Sequence, residues 1–461
     1  MDIDPPAYGR LNADGTWATG EEEEDYPYLH PPAYGHPDGG ERPPFVLIEP
    51  YAYFADRENA TTASCDMKDL GGTLSVTFCV AHPPRVSYLC VQATAFDHTE
   101  FAVEPHIMAT DGGLLLLRLV IGSHPSFLMI HSERQYFMYD ASVPSLEHLP
   151  NPGYDHMFND HSIAIVRNCN RGNQGTSHDC DYVLAAQSPG FGYAKYSQLI
   201  LYNSHTKAWS KVPLVPKSYP SHTTGKTLTV GGDKGTVAWI DLCRNIVLCD
   251  VFDKCPMLRT LQLPTDALVS DNPRSVRDIA LLGGVIKYVE LDCRCVEESL
   301  LGDSSSNLYA WKVAVWSINT GSSSSDDWHM DYLLNSTEIP QPSLRLDEGT
   351  AQPTLWTLRI GQPHLSLEDD DIVYFVTNID YRDKTHILCM LAVDMRNKTV
   401  QKVDEFSSRR IAHLQNGYTA SMISKYLKGA KQNTKRPGMP FFRSSSKKHL
   451  GNSMVINLGG A

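Results

Sequence analysis

The sequence predicts an all-β fold, an antiparallel β-propeller-like repeat body of six blades, and three observations carry that reading. First, one pattern recurs five times between Phe137 and Val403: a few apolar residues, then Asp, Asn or Ser, a short polar stretch, and apolar residues again. The copies are FMYD with LEHLP, LILYN with WSKVPL, IVLCD with LRTLQLP, VAVWS with WHMDYLL, and LAVD with VQKV. Each reads as a β-hairpin, and in three of them (Asp140 to Leu146, Asn203 to Trp209, Asp394 to Val400) the marker precedes the second apolar segment by six positions. Second, further short runs rich in β-branched and aromatic residues lie between the hairpins with no long helical pattern among them, which favours antiparallel meanders over a parallel α/β sheet. Third, 461 residues exceed what one compact core holds, whereas a repeat adds core unit by unit.

Residues 1–44 contain eight Pro, six Gly and the acidic run Glu21 to Asp25, with neither strand nor helix periodicity, and are expected to be disordered. The body is expected over 45–408. It opens with FVLIEPYAYFA, TLSVTFCV and RVSYLCVQ and continues through LLLLRLVIG, FLMIH, IAIVR, DYVLAAQ, KTLTVGG, GTVAWID, GVIKYVEL, LWTLRI and DIVYFVT. Markers at 140, 203, 250, 317 and 394 lie 63, 47, 67 and 77 residues apart, comparable to propeller blades lengthened by inserted loops around Ser304 to Ser306 and Ser322 to Ser325. In this arrangement Trp209, Trp239, Trp316 and Trp356 supply core or groove surface. Ile411, Leu414, Tyr418, Met422, Ile423, Tyr426 and Leu427 recur at helical spacing and predict a C-terminal helix over 409–430, followed by a flexible basic tail over 431–461.

Composition excludes several function classes. No apolar run is long enough to span a membrane; Leu114 to Gly122 is interrupted by Arg118, and the opening Met-Asp-Ile-Asp has neither basic start nor apolar core. The expectation is an intracellular protein, cytoplasmic or nuclear and not secreted, so the sequons at Asn59, Asn335 and Asn397 carry no weight. Eleven cysteines, an odd number spread through apolar strands, read as buried thiols in a reducing compartment. Cys243, Cys249 and Cys255 are evenly spaced and Cys293 and Cys295 would share a strand face, yet no pair has CxxC spacing, so no metal and no cofactor is expected. The net charge is −13, and no acidic residue follows Glu405, while ten Lys and Arg do; removing those ten leaves about −23 on the rest. The tail set Lys425, Lys428, Lys431, Lys435, Arg436, Arg443, Lys447 and Lys448 could fold back on the acidic body or reach nucleic acid or acidic partners, and fold-back or simple solvation is favoured.

Several runs together resemble a plant family, known mainly from grasses, catalogued as domain of unknown function 1618. They are AHPPRVSYLCVQ, LLLLRLVIG, PSLEHLPNPG, the block GKTLTVGGDKGTVAWIDLCRNIVLCDV, RDIALLGGVIKYVELD, WKVAVWS, and LSLEDDDIVYFVTNID with LAVDMRNKTVQKV, covering about Phe45 to Tyr426. The resemblance implies no accepted activity, cofactor or catalytic residue. Its comparison with propeller-like regions of F-box proteins is analogy, and no helical, Leu-rich F-box precedes Phe45, which argues against a ligase-adaptor role.

Candidate sites are few. Pro5-Pro6-Ala7-Tyr8 and Pro31-Pro32-Ala33-Tyr34, each within PPAYG, resemble WW-domain ligands: Pro-Pro preforms an extended backbone and Tyr can fill an adjoining pocket. Asp155, His156, Asp160 and His161 form the densest acid and imidazole cluster, able in principle to act as general acid and base, though Asn151-Pro152-Gly153 beside them favours a polar connecting loop. Ser221 to Thr227 resembles the end of a phosphate-binding loop, but Pro220 stands where its first Gly is needed and a strand follows, so it reads as a loop into a strand. Gly231 to Gly235 reads as a hairpin turn, and Glu368 to Asp371, without calcium-loop spacing, as a solvated turn. The sequence leaves the function undetermined. It favours a non-catalytic protein-interaction scaffold over a propeller enzyme with acid and imidazole groups in its channel, or over a nucleic-acid binder.

Overall fold

The computed structural model describes residues 31–35, 42–122, 133–168, 181–188, 198–214, 222–265, 272–296, 308–322, 324–339, 359–378, 387–407 and 417–427. Five blades are continuous four-stranded antiparallel meanders. The first is β6 (Phe101–Asp111), β7 (Leu114–Ile121), β8 (Arg134–Asp140) and β9 (Ser145–Leu149). The second is β10 (Ile163–Asn168), β11 (Asp181–Gln187), β12 (Gln198–Asn203) and β13 (Ala208–Pro213). The third is β14 (Lys226–Gly231), β15 (Thr236–Asp241), β16 (Asn245–Asp250) and β17 (Leu258–Gln262). The fourth is β18 (Arg277–Leu282), β19 (Val285–Val296), β20 (Leu308–Asn319) and β21 (His329–Asn335). The fifth is β22 (Arg359–Leu365), β23 (Ile372–Asn378), β24 (Ile387–Asp394) and β25 (Thr399–Ser407). The sixth is composite, built from β1 (Val46–Ile48), β2 (Tyr53–Phe54), β3 (Ala63–Asp66), β4 (Thr73–Cys79), β5 (Val86–Ala93) and, from the far end of the chain, β26 (Thr419–Ser421).

Strand alternation explains how these sheets become a ring. Successive side chains point to opposite faces, and both faces of a blade are covered, so the strands read as nearly continuous apolar runs rather than alternating ones. In β1, Val46 and Ile48 pack toward blade one while Phe45 and Leu47 pack toward blade five. In β15, Val237 and Trp239 meet blade two while Ala238 and Ile240 meet blade four. Six apolar clusters result, one at each junction between neighbouring blades, and together they close the circle. Trp239 is fully buried at the junction of blades two and three, and its indole N–H donates to the Ser162 carbonyl at 2.6 Å. Trp209 stacks on Phe158 and Tyr202, and Trp316 packs on Tyr288; Trp356 lies outside the described residues.

The five sequence hairpins are the two outermost strands of blades one to five; in blades one, two and five the polar marker starts the turn, whereas Ser317 lies within β20 and donates to Asp331 at 2.8 Å. The Asp140 carboxylate accepts from the Ser142 N–H at 2.8 Å, and the Asn203 side-chain oxygen from the His205 and Thr206 N–H groups at 2.9 and 3.2 Å. Asp394 accepts from the Asn397 N–H at 2.8 Å and from the side chains of Asn397 and Gln401. A short carboxylate or amide that bonds its own backbone two or three residues on is what commits the chain to turn there. The common six-residue spacing follows from the register, since Asp140 pairs with Ser145, Asn203 with Ala208 and Asp394 with Thr399 across four-residue loops. Of Ser221 to Thr227, the described residues from His222 on lead into a strand beginning at Lys226, and Gly231 to Gly235 forms a hairpin turn, with Gly231, Gly232 and Gly235 at positive φ.

At the chain ends the structure departs from the sequence reading. The helix predicted over 409–430 is not formed by residues 417–427, which make strand β26 and a single 3₁₀ turn over Ile423–Lys425; the remainder of that segment lies outside the described residues. The pattern misled because Tyr418, Ile423 and Leu427 are buried between blades rather than along one helix face, and pairing of β26 with β1 satisfies the backbone instead. Within the leader expected to be disordered, residues 31–35 and 42–44 are placed against the body, while the first PPAY copy, Pro5, Pro6 and Tyr8, lies outside the described residues. So do the tail cations from Lys428 onward; Lys425 is exposed. Among the described residues every helix is a three-residue 3₁₀ turn, and none is long and apolar enough to cross a membrane.

Candidate functional site in the central channel

The first strands of blades one to five, β6, β10, β14, β18 and β22, join β26 of blade six in lining one cavity of about 280 Å³ at the centre of the ring. Its wall mixes apolar side chains with a set of charged and imidazole groups that the blade junctions lack. His106 comes from β6, His161 from the turn before β10, Lys226 from the start of β14, Arg274 from the 3₁₀ turn Pro273–Ser275, Arg277 and Asp278 from the start of β18, and His364 from β22.

Local irregularity aims these side chains inward. β6 departs from regular register three times, between Phe101 and Val103, Val103 and His106, and Ile107 and Ala109. β22 is bulged between Gly361 and His364, with Gln362 at φ +45°, a left-handed conformation that is uncommon for a residue with a side chain. Bulges of this kind re-aim a side chain and recur next to functional sites. Gly417, at φ +63°, opposes His364: a Cβ there would lie 3.1 Å from the His364 ring.

Charge is handled by pairing across blades. Lys226 Nζ meets Asp278 Oδ1 at 2.6 Å, and Asp278 Oδ2 accepts from the Leu365 N–H of blade five at 3.1 Å. Arg277, with its side chain fully buried, donates from Nε to Glu290 Oε1 at 2.9 Å and from Nη1 to the Leu242 carbonyl at 2.9 Å. Arg118, the cation that interrupts the apolar run of β7, pairs with Asp160, which also takes Arg134 at 3.4 Å. Arg274 donates to the Gly225 carbonyl.

The three imidazoles are neutral. Burial pushes His106 well below its ordinary range, with Arg118, His161 and Arg274 adding to the effect. Burial, then Arg274 and Arg118, lower His161 to about 3. Burial also lowers His364 to about 4, where Asp278 opposes the shift and Lys226 and Arg274 reinforce it. The His106 and His161 rings meet edge to face at 6.1 Å, Tyr51 stacks on His106 at 4.8 Å, and the buried Nδ1 of His106 has no hydrogen-bond partner among the described residues. Arg274 is thus a charge felt by all three rings.

The sequence cluster Asp155, His156, Asp160 and His161 is divided by this geometry. Asp155 is exposed, 4.0 Å from Lys211, and His156 Nδ1 lies 2.9 Å from the Pro152 carbonyl on the connecting loop, so both stand apart from the cavity. Asp160 turns toward Arg118, and only His161 lines the channel. Its partners His106, Arg274 and His364 arrive from positions 55 residues before and 113 and 203 residues after it, so no local motif joins them. The one local signal was Arg118, a charge inside an apolar run. Glu368 to Asp371 forms a turn whose Asp371 pairs with Arg396 at 2.6 Å, and no cluster of three or more metal-ligating side chains occurs among the described residues.

Residues 239–374, from β15 of blade three to β23 of blade five, match the model of a family described as "Protein of unknown function (DUF1618)". No curated protein matches the chain. Solved structures similar to it include the hydrazine synthase of Kuenenia stuttgartiensis (10% identity, covering 69% of this chain and 74% of that one, TM-score 0.28). The α-L-arabinanase of Penicillium chrysogenum complexed with arabinobiose is 11% identical over 55% of this chain and 68% of that one, with TM-score 0.26. The WD40 domain of SCAP from fission yeast is 9% identical over 78% of this chain and 83% of that one, with TM-score 0.29. The six-bladed assignment itself comes from this chain's strand pairing.

Proposed function

We propose that the protein is a non-catalytic binding propeller whose channel takes a small anionic ligand, a carboxylate or phosphate ester. The observation that carries this reading is that one cavity gathers the cations Lys226, Arg274 and Arg277 with the imidazoles of His106, His161 and His364. Among the described residues of the wall, Lys226, Arg274 and Arg277 outnumber Asp111 and Asp278, inside a chain whose net charge is −13. An anion entering this site meets the half-buried guanidinium of Arg274 together with buried imidazoles that can turn an N–H toward it. The lowered pKa values of His161 and His364 argue against a general base. Proton transfer is most effective when the catalytic pKa lies near the working pH, and rings held at about 3 and about 4 are weak bases at neutrality.

The test is calorimetric titration of the full chain at low ionic strength with mono- and dicarboxylates and phosphate esters. Saturable binding that weakens at least tenfold in Arg274→Gln, at unchanged melting temperature, is the expected result, since a charge-assisted hydrogen bond contributes about 1.5–3 kcal/mol. Affinity rises as pH falls, because a bound anion raises the imidazole pKa values and binding then takes up protons. Absence of saturable heat for every ligand, or Arg274→Gln binding like the wild type, defeats the reading. A second reading, a protein-interaction scaffold, is favoured by a different observation: blade six already holds an extended peptide segment.

A further inference from the structure

That peptide is Pro31 to Gly35, the second PPAYG copy. It lies against a small groove on the side of blade six that carries Tyr53, Cys79, Tyr88 and Cys90, with Tyr34 packed on them. The Tyr34 ring meets Tyr88 edge to face at 6.0 Å, and the Arg85 guanidinium sits 5.5 Å from its centroid. The Tyr88 hydroxyl accepts from Arg57 and donates toward the carbonyls of Pro32, at 2.9 Å, and Tyr34. Arg57 Nη2 reaches the Pro31 carbonyl at 3.4 Å. The segment is therefore held by its backbone carbonyls and by one aromatic ring, which is how a groove reads a proline-rich peptide.

Gly35 is part of what the groove reads. Its φ is +88°, and a Cβ would lie 3.1 Å from the Tyr88 ring and 3.2 Å from Cys79 Cβ. Ala33, by contrast, points away and is exposed. The pattern recognised is Pro-Pro-x-Tyr-Gly. The sequence contains that pattern a second time, residue for residue, at Pro5 to Gly9.

We infer that the groove formed by Tyr53, Arg57, Cys79, Arg85 and Tyr88 is a recognition site for Pro-Pro-x-Tyr-Gly segments, filled in this structure by residues 31–35 and able to take residues 5–9 in exchange. Because the two pentapeptides are identical, each offers the groove the same ring and the same backbone carbonyls, and they differ only in distance along the chain. The inference stands on blade six alone and is independent of the channel reading.

The experiment uses the full chain with Tyr8→Ala and Tyr34→Ala, which leaves the groove without its aromatic occupant, and a labelled peptide of residues 3–11 followed by fluorescence anisotropy. Saturable binding at least tenfold tighter than to the wild-type chain is expected. A peptide with Tyr8→Ala should bind at least tenfold more weakly, and adding Tyr88→Phe or Arg85→Gln to the chain should weaken binding about two- to fivefold. If Tyr34→Ala lowers the melting temperature, deletion of residues 31–35 from the Tyr8→Ala chain vacates the groove instead. Equal binding of the Tyr and Ala peptides, or no saturable binding to either vacated chain, overturns the inference. So does capture of the wild-type chain by an isolated WW domain through Tyr34 when the vacated chains bind no peptide, since the segment would then be a ligand for an external domain.

Discussion

The outer edge of the ring and the wall of its channel belong to the same blades but follow opposite rules. At the outer edge the hairpins of blades one, two and five are built locally: a marker residue turns the chain by bonding its own backbone, and β9, β13 and β25 begin after four-residue loops. At the channel the side chains come from several blades and many partners lie on a neighbouring one, as with Lys226, Asp278 and the Leu365 N–H, while Arg277 is buried between its cross-strand partner Glu290 and the Leu242 carbonyl of blade three. The lesson is that removing a group costs little where its partner is local and solvated, and much where its partner is buried and supplied from elsewhere in the fold.

The largest effect expected is therefore at the wall. Arg277→Ala leaves the Glu290 carboxylate and the Leu242 carbonyl without their buried donor and should lower stability by about 3–5 kcal/mol, read as a shift in the denaturation midpoint. A loss below 1 kcal/mol would erase the contrast between wall and edge. A smaller effect is expected at the outer hairpin of blade five. Asp394→Ala removes the acceptor of the Asn397 N–H and should cost about 0.5–1.5 kcal/mol, with the remaining blades unaffected in hydrogen exchange. A loss as large as that of Arg277→Ala would show that the turn, too, is held by the ring as a whole.

The same contrast decides what the sequence made legible. The outer hairpins were read because Asp140, Asn203 and Asp394 signal their turns within a few residues. Strands β7, β10, β11, β14, β15, β19 and β23 were read because blade interiors are apolar on both faces. Of the strands that went unread, β6, β18 and β26 line the channel, while β3 closes the outer edge of blade six. At the channel, bulges break the register of β6, polar residues open β18, and β26 is three residues long, defined only by its pairing with β1. His161 was among the candidates for its proximity to Asp155, which proved irrelevant, while its actual neighbours His106, His364 and Arg274 were invisible, because blade closure and not sequence proximity brings them together. The PPAY copies were read as exposed ligands. That the second is docked depends on Tyr88 and Arg85, more than 50 residues away.

The most direct measurement is an NMR titration of the histidine side chains in the full chain, with His106, His161 and His364 assigned by single replacement with Gln. The account predicts His364 protonating only near 4 and His161 near 3, with burial holding His106 well below the ordinary histidine range as well. Between the unfolded value of about 6.5 and those folded values the unfolded chain binds protons that the native one does not. Stability is then complete above pH 6.5 and falls with acidification by up to about 1.4 kcal/mol per pH unit for each ring. Titration of these three histidines near 6.5, with no loss of stability between pH 6.5 and 5, would contradict a channel that buries its imidazoles around Arg274.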